Sequence, residues 1–227
     1  MPEMPGSVLQ LTLEAPMDVC RQALPPALHP LNPGVLVLTA YEMYDAASGR
    51  SFRLVEVGIQ CRAGARARRY IVGAAIDDAE MGGRLAENWG YLTKPARICL
   101  ERRYERIDLT VSAEATVLRA SLCGPEPVVP SAVMYVAGLR PMVHGERPWI
   151  GQFERSFEIS RADRGRPEVA ALDARWWGDG TLDGLRATAP ISGSCTQSAV
   201  TLNPLRFLIG PSQPRSADTH RLADILG

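Results

Sequence analysis

What most constrains this chain is the way its apolar runs are spaced. Val8 to Leu13, Val35 to Tyr44, Phe52 to Cys61, Tyr70 to Ile76, Ile107 to Val111 and Ala115 to Cys123 are rich in β-branched and apolar residues. Stretches holding Gly, Pro, Asp or Ser separate them, and runs of this length between turn formers read as strands. Ala132 to Leu139, Trp149 to Ile159, Val169 to Trp177 and Ala199 to Ile209 extend the series. So many short strands predict a sandwich or a barrel. Helices are expected to be few: Met17 to Leu24, stopped by Pro25 and Pro26; Asp77 to Asn88, opened by an aspartate cap; and Thr219 to Leu226. Pro125, Pro127 and Pro130 are expected at turns or edges, because proline cannot donate to an interior ladder.

At 227 residues, with 46% hydrophobic residues and no linker-like stretch, the chain is expected to form a single domain spanning residues 1–227. Formal net charge is zero and the arginines are interspersed with acids, a pattern that argues against a nucleic-acid partner. The densest basic run, Arg62, Arg66, Arg68 and Arg69, reads as a solvated strand end and as a secondary candidate for binding a carboxylate. Every hydrophobic stretch is interrupted by a charge before the ~18 residues of a membrane helix, so no membrane span is expected. Cys20, Cys61, Cys99, Cys123 and Cys195 form no CxxC pair, and no secretory leader precedes them; reduced thiols and a cytoplasmic location are the expectation.

His29, His144 and His220 lack metal-ligand spacing, and the chain has no GxSxG, GxGxxG or Walker loop. Neither a metal nor a nucleotide cofactor is indicated. Lysine usage is more informative. Of the 25 basic residues only Lys94 is a lysine. In a chain where arginine has displaced lysine elsewhere, an amine is kept most readily where it must lose its proton or form an imine. A lone lysine on a solvated turn is the plainer alternative.

Around that lysine, Trp89-Gly90-Tyr91-Leu92-Thr93-Lys94-Pro95-Ala96 resembles the Gly-Tyr-Pro-Lys-Lys-Leu-Ala signature of the acetoacetate decarboxylase family. Gly83-Arg84 is similar to the Gly-Arg-Glu that leads into it. Upstream, Met17-Asp18 through Leu28 resembles the family's early helix, Tyr44 to Gly49 its Ser-Gly turn, and Leu54-Val55-Glu56-Val57-Gly58 its glutamate-bearing strand. The similarity runs over about residues 15 to 123. It implies an α+β, mainly β fold: a cone-shaped β-barrel with flanking sheet and short helices, assembled as a homo-oligomer. It also implies chemistry on a small-molecule carbonyl substrate, an oxo acid or polyketide-like compound, through a lysine imine.

The resemblance implies Lys94, Glu56 and Glu42 as catalytic residues and Tyr91, Thr93 and Trp89 as substrate-binding ones. Two departures matter. Of the family's adjacent lysines the first forms the imine, and Thr93 stands there; the first family glutamate falls at Ala40, with Glu42 two residues on. The family's amino-terminal arginine has no counterpart, the matching place being near Gly6. Three readings follow: a lyase or cyclase using a Lys94 imine, an imine-independent isomerase or cyclase in the same pocket, and a non-catalytic metabolite-binding relative.

Overall fold

The computed structural model describes residues 3–64, 66–130, 133–144, 147–178, 182–203, 207–209 and 219–221. Its elements in chain order begin β1 (Met4–Ala15), α1 (Met17–Ala23), β2 (His29–Pro30), β3 (Gly34–Asp45), β4 (Arg50–Ala63), β5 (Arg66–Ile76) and α2 (Ala79–Trp89). There follow β6 (Lys94–Pro95), β7 (Arg97–Arg103), β8 (Arg106–Ser112), β9 (Thr116–Val128), β10 (Val133–His144) and β11 (Arg147–Leu172). The described chain ends with α3 (Ala174–Trp177), β12 (Ala189–Leu202), β13 (Phe207–Ile209) and β14 (Thr219–Arg221). No described helix is long and apolar enough to cross a membrane.

The strands join in the order β10-β5-β4-β3-β1-β12-β11-β9-β8-β7, and β10 also pairs with β11. That extra pairing closes β10, β5, β4, β3, β1, β12 and β11 into a ring, while β9, β8 and β7 continue outward as a flanking sheet. Successive side chains on a strand point to opposite faces, so each barrel strand divides its residues between an inner and an outer set. The outer set includes Leu9, Leu11, Leu36, Leu38, Val55, Val57 and Ile59. These pack with Val19 and Cys20 of α1, with Ile98, Leu109 and Leu118 of the flanking sheet, and with Trp177. Burying each such side chain fully contributes roughly 1.5–3 kcal/mol. The inner set, with Val8, Tyr41, Leu54, Ile71, Ala74, Phe153 and Phe157, is joined by Met81 and Leu85 of α2.

Several expectations are corrected. Val169 to Trp177 is not one strand: β11 stops at Leu172 and a helical turn covers Ala174–Trp177. The Asp173 carboxylate accepts from the backbone N–H of Arg175 and Trp176, a cap that outweighs the β preference of two tryptophans. Ala199 to Ile209 is likewise split between the end of β12 and β13. At the chain end, 219–221 is strand and not helix, and 222–226 lies outside the described residues. Strand β7 was not anticipated, since Arg97, Glu101, Arg102 and Arg103 hide the alternation of an exposed edge strand. Pro125 and Pro127 lie within β9, past Cys123 where its pairing with β8 ends, and so on an edge.

Candidate functional site

The barrel interior is where the polar chemistry gathers. In the β3–β4 ladder Thr39 lies opposite Glu56 and Tyr41 opposite Leu54, which puts Thr39, Tyr41 and Glu56 on one face. Glu56 is 0% exposed. Tyr41 donates to its Oε2 at 3.2 Å, Tyr91 donates to Oε1, and Arg155 of β11 grips both oxygens, with Nη1 to Oε2 at 2.9 Å. Arg155 also donates to the Tyr41 hydroxyl at 2.7 Å. Strands β4 and β11 are not neighbours in the ring, so this fork crosses the lumen. The two tyrosine hydroxyls add hydrogen bonds to the fork, which helps to offset the desolvation of the buried pair.

The electrostatics hold Tyr41 and Arg155 in their protonated forms. Burial pushes the Tyr41 phenol up to about 12; Arg155 opposes the shift and Glu56 adds to it. Burial works against the Arg155 cation, yet Glu56 and Tyr41 hold its pKa above the ordinary arginine value. Tyr41 therefore remains a hydrogen-bond donor at neutral pH, its hydroxyl set between a carboxylate and a guanidinium.

Two further guanidinium groups enter the interior without a carboxylate. Arg69 of β5 is only 7% exposed. It reaches past β4 to donate from Nη1 to Thr39 Oγ1 (2.6 Å) and from Nη2 to Gln10 Oε1 (2.7 Å), and its Nε has no partner among the described residues. Gly58 makes this possible, since a Cβ there would stand 2.8 Å from Arg69 Cγ. Arg140 of β10 is 4% exposed and lies over the Tyr91 ring at 3.9 Å, with Nε and Nη1 unpartnered among the described residues. Burial pushes it down to about 10; Glu56 counteracts that and Arg155 reinforces it. Among the described residues, no carboxylate lies within ion-pair distance of Arg69 or Arg140. Three buried guanidinium groups thus face one carboxylate, and uncompensated buried charge is expensive unless a ligand supplies its counterion.

Inside the barrel a cavity of about 390 Å³ is lined by Gln10, Thr39, Tyr41 and Arg69, by the hydroxyl side chains of Ser192, Ser194 and Thr196, and by Met134, Val136, Phe157 and Ile159. One wall is polar and the other apolar, the composition of a small-molecule site. A larger cavity of about 660 Å³ lies at the flanking sheet among Arg102, Arg103, Glu126, Arg161 and Asp163. Two of its charged groups, Arg161 and Asp163, pair with each other there.

The residues singled out from sequence are not all brought together. Glu56 and Tyr91 meet inside the barrel. Glu42 lies opposite Arg53 on the other face of β3, and its half-exposed carboxylate pairs with that arginine at 2.7 Å, so Tyr41 and not Glu42 shares the interior with Glu56. Lys94 pairs with Ala75 of β5 and Pro95 with Ile76, with no bulge. Ala75 belongs to the outer packing and Ile76 to the inner. Lys94 accordingly leaves the barrel outward, where Nζ donates to the Trp176 carbonyl and lies 5.4 Å from the Trp176 ring. Thr93 turns the other way, with Oγ1 3.0 Å from where a Gly82 Cβ would stand, next to Ile76. Trp89 ends α2 and donates from Nε1 to the Asn203 carbonyl at 3.3 Å, a wall contact.

Arg155, Arg140 and Tyr41 were not among the expected site residues, whereas Arg69 belongs to the basic run named as a secondary candidate for binding a carboxylate. A signal existed for one of them: Phe153, Arg155 and Phe157 share a period-two stripe, which places an arginine in the apolar face of its strand.

A closed barrel with a flanking sheet and a polar lumen defines the fold as that of acetoacetate decarboxylase-like proteins. The enduracididine biosynthesis enzyme MppR, in a structure complexed with pyruvate, superposes at TM-score 0.72 with 20% identity, covering 90% of each chain. Acetoacetate decarboxylase from Legionella pneumophila superposes at 0.73 with 16% identity, covering 90% of this chain and 86% of its own. An acetoacetate decarboxylase-like enzyme from Sphingomonas wittichii gives 0.62 with 14% identity, over 89% and 92%. No family model matches the sequence, and no curated protein matches it.

Proposed function

We propose that this chain is an acetoacetate decarboxylase-like enzyme of the lyase, isomerase or cyclase type. Its substrate is an oxo acid or polyketide-like carbonyl compound, processed in the barrel cavity without a lysine imine. The observation that carries this reading is Arg69: three of its five N–H donors have no partner among the described residues, beside a cavity whose described lining adds a second cation, Arg164, and otherwise neutral polar groups. Its guanidinium suits the substrate carboxylate. Tyr41, which lines the same cavity, would turn its hydroxyl from Glu56 to the substrate carbonyl oxygen and stabilise the enolate that forms when a neighbouring carbon releases carbon dioxide or passes a proton to a water molecule in the cavity. Glu56 and Arg155 act through Tyr41 and are positioning residues. One fold neighbour holds pyruvate, itself a 2-oxo acid, which supports the substrate class.

The outward path of Lys94 is what favours the imine-free route over the imine. The test uses pyruvate and acetoacetate as probes, following exchange of their carbon-bound hydrogens for deuterium by proton NMR. Catalysed exchange is expected, slowed about 100-fold or more in Tyr41→Phe, the loss of a positioned acid–base group. A borohydride-trapped adduct on Lys94, or exchange undiminished in Tyr41→Phe, would restore the imine reading. Binding of these acids with no exchange at all would favour a non-catalytic metabolite-binding protein.

A further inference from the structure

The lumen cavity holds a second guanidinium, Arg164, to which the proposed chemistry gives no task. Strand register fixes where it stands. Thr39 of β3 lies opposite Gln10 of β1, Gln10 opposite Ser194 of β12, and Ser194 opposite Arg164 of β11. Residues directly opposite in antiparallel strands share a face. These four therefore make one row across the wall, and all four line the cavity. Arg69 approaches from β5 and bonds the first two members of the row, Thr39 and Gln10. Gln10 and Arg164 are two strand spacings apart, roughly 10 Å at the backbone. The row thus has a cation at each end and the Ser194 hydroxyl between them.

Arg164 differs from the arginines beside it. Arg161 pairs with Asp163, and Arg166 with Glu168. The Arg164 side chain has no ion pair or hydrogen bond among the described residues, although Glu126 stands opposite it on β9. Glu126 does not line the lumen cavity, and no other acid lines it among the described residues. The two cations also differ in depth, since Arg69 is buried and Arg164 exposed. Met134, Val136, Phe157 and Ile159 complete the cavity with hydrocarbon.

Resting on the reading of the lumen as the substrate site, we propose that its substrate is an oxo diacid. The carboxylate next to the carbonyl sits on Arg69, and a second carboxylate, at the far end of a short methylene chain, sits on Arg164. The carbonyl oxygen points to Tyr41, two residues from Thr39 on the same face of β3, and the methylenes lie against the apolar side chains. A monoacid leaves Arg164 in water. A diacid adds a charge-assisted pair there, and the exposure of Arg164 keeps the gain modest.

Calorimetric titration with two probes tests this: 2-oxoglutarate, and 2-oxopentanoate, which has the same chain length and a methyl group in place of the distal carboxylate. The diacid is expected to bind the wild-type chain roughly ten-fold more tightly. Arg164→Gln should bring the two affinities within about two-fold of each other, with Arg164→Lys intermediate. The comparison of the two acids on the wild-type chain needs no variant to fold. Equal affinities there would overturn the diacid and leave the lumen as a monoacid site, with the proposed function intact. A preference that persists in Arg164→Gln would overturn the place given to the second carboxylate. Binding of neither acid would overturn the lumen as the substrate site, and the diacid with it.

Discussion

The outer and inner faces of the same barrel strands are built on opposite terms. Outside, Leu9, Leu11, Leu38, Val57 and Ile59 pack into one large apolar cluster. Inside, the same strands carry Gln10, Thr39, Tyr41 and Glu56, and their neighbours add Arg69, Arg140 and Arg155. Alternation along one strand is enough to keep the two apart. The difference shows that the outer face holds the barrel together and that the inner face is kept for something the fold does not need, since a lumen of this size would be more stable filled with apolar side chains.

The contrast is broken most severely at Glu56. Glu56→Leu leaves Arg155 buried without a counter-charge and is expected to cost about 3–5 kcal/mol, read from urea denaturation. Adding Arg155→Leu should recover most or all of that loss while abolishing probe exchange. A double variant as unstable as the single one would mean that the pair serves the fold itself.

On the outer face Leu38→Ala removes a fully buried side chain and is expected to cost about 2–5 kcal/mol through the cavity it leaves. Anion binding in the lumen should survive below the lowered melting temperature. Loss of binding in the folded variant would show that the faces are not independent.

Alkali sharpens the comparison further. Tyr41 inside and Tyr70 outside both have folded pKa values raised to about 12 from 10 by burial. Folding favours the protonated phenol, so this stabilisation is complete below pH 10 and is lost as pH rises through 12, on the order of 2 kcal/mol for each. Tyr41→Phe should flatten part of that decline in denaturation measured against pH; an unchanged slope would place the alkaline loss elsewhere.

The smallest effect is expected at Lys94. Lys94→Arg keeps the charge at a half-buried outward position, and deuterium exchange of the probes should stay within about two-fold of wild type. A loss approaching that of Tyr41→Phe would return the lysine to the chemistry.

Strands β1, β3, β4 and β5 were legible because their apolar and β-branched residues recur densely between turn formers; an aspartate cap was expected at the head of α2, and it falls on Asp78, which accepts from Met81 N–H. The outward turn of Lys94 follows from its shift of one residue along a regular strand, which sequence does register. Arg69 and Arg140 were not legible as interior residues. Arg69 stands in a basic run that reads as solvated, and its environment is set by Gly58, Thr39 and Gln10 on strands far off in sequence. The closing contact between β10 and β5 involves two residue pairs in parallel, too brief to leave a pattern.

One irregularity decides whether Arg69 faces the lumen at all. Between β4 and β5 the register slips once: Val57 stands opposite Gly73, but Gly58 stands opposite Ile71, so Val72 is a bulge. The slip acts as a change of parity. On the Ala74 side of it even-numbered residues point inward, and on the Arg69 side odd-numbered ones do. Were Val72 deleted, odd and even would trade places over 66–71, Tyr70 would swing into the lumen and Arg69 would be driven into the hydrocarbon outside. A single inserted residue therefore determines whether the interior presents Arg69, and with it how much positive charge faces Glu56.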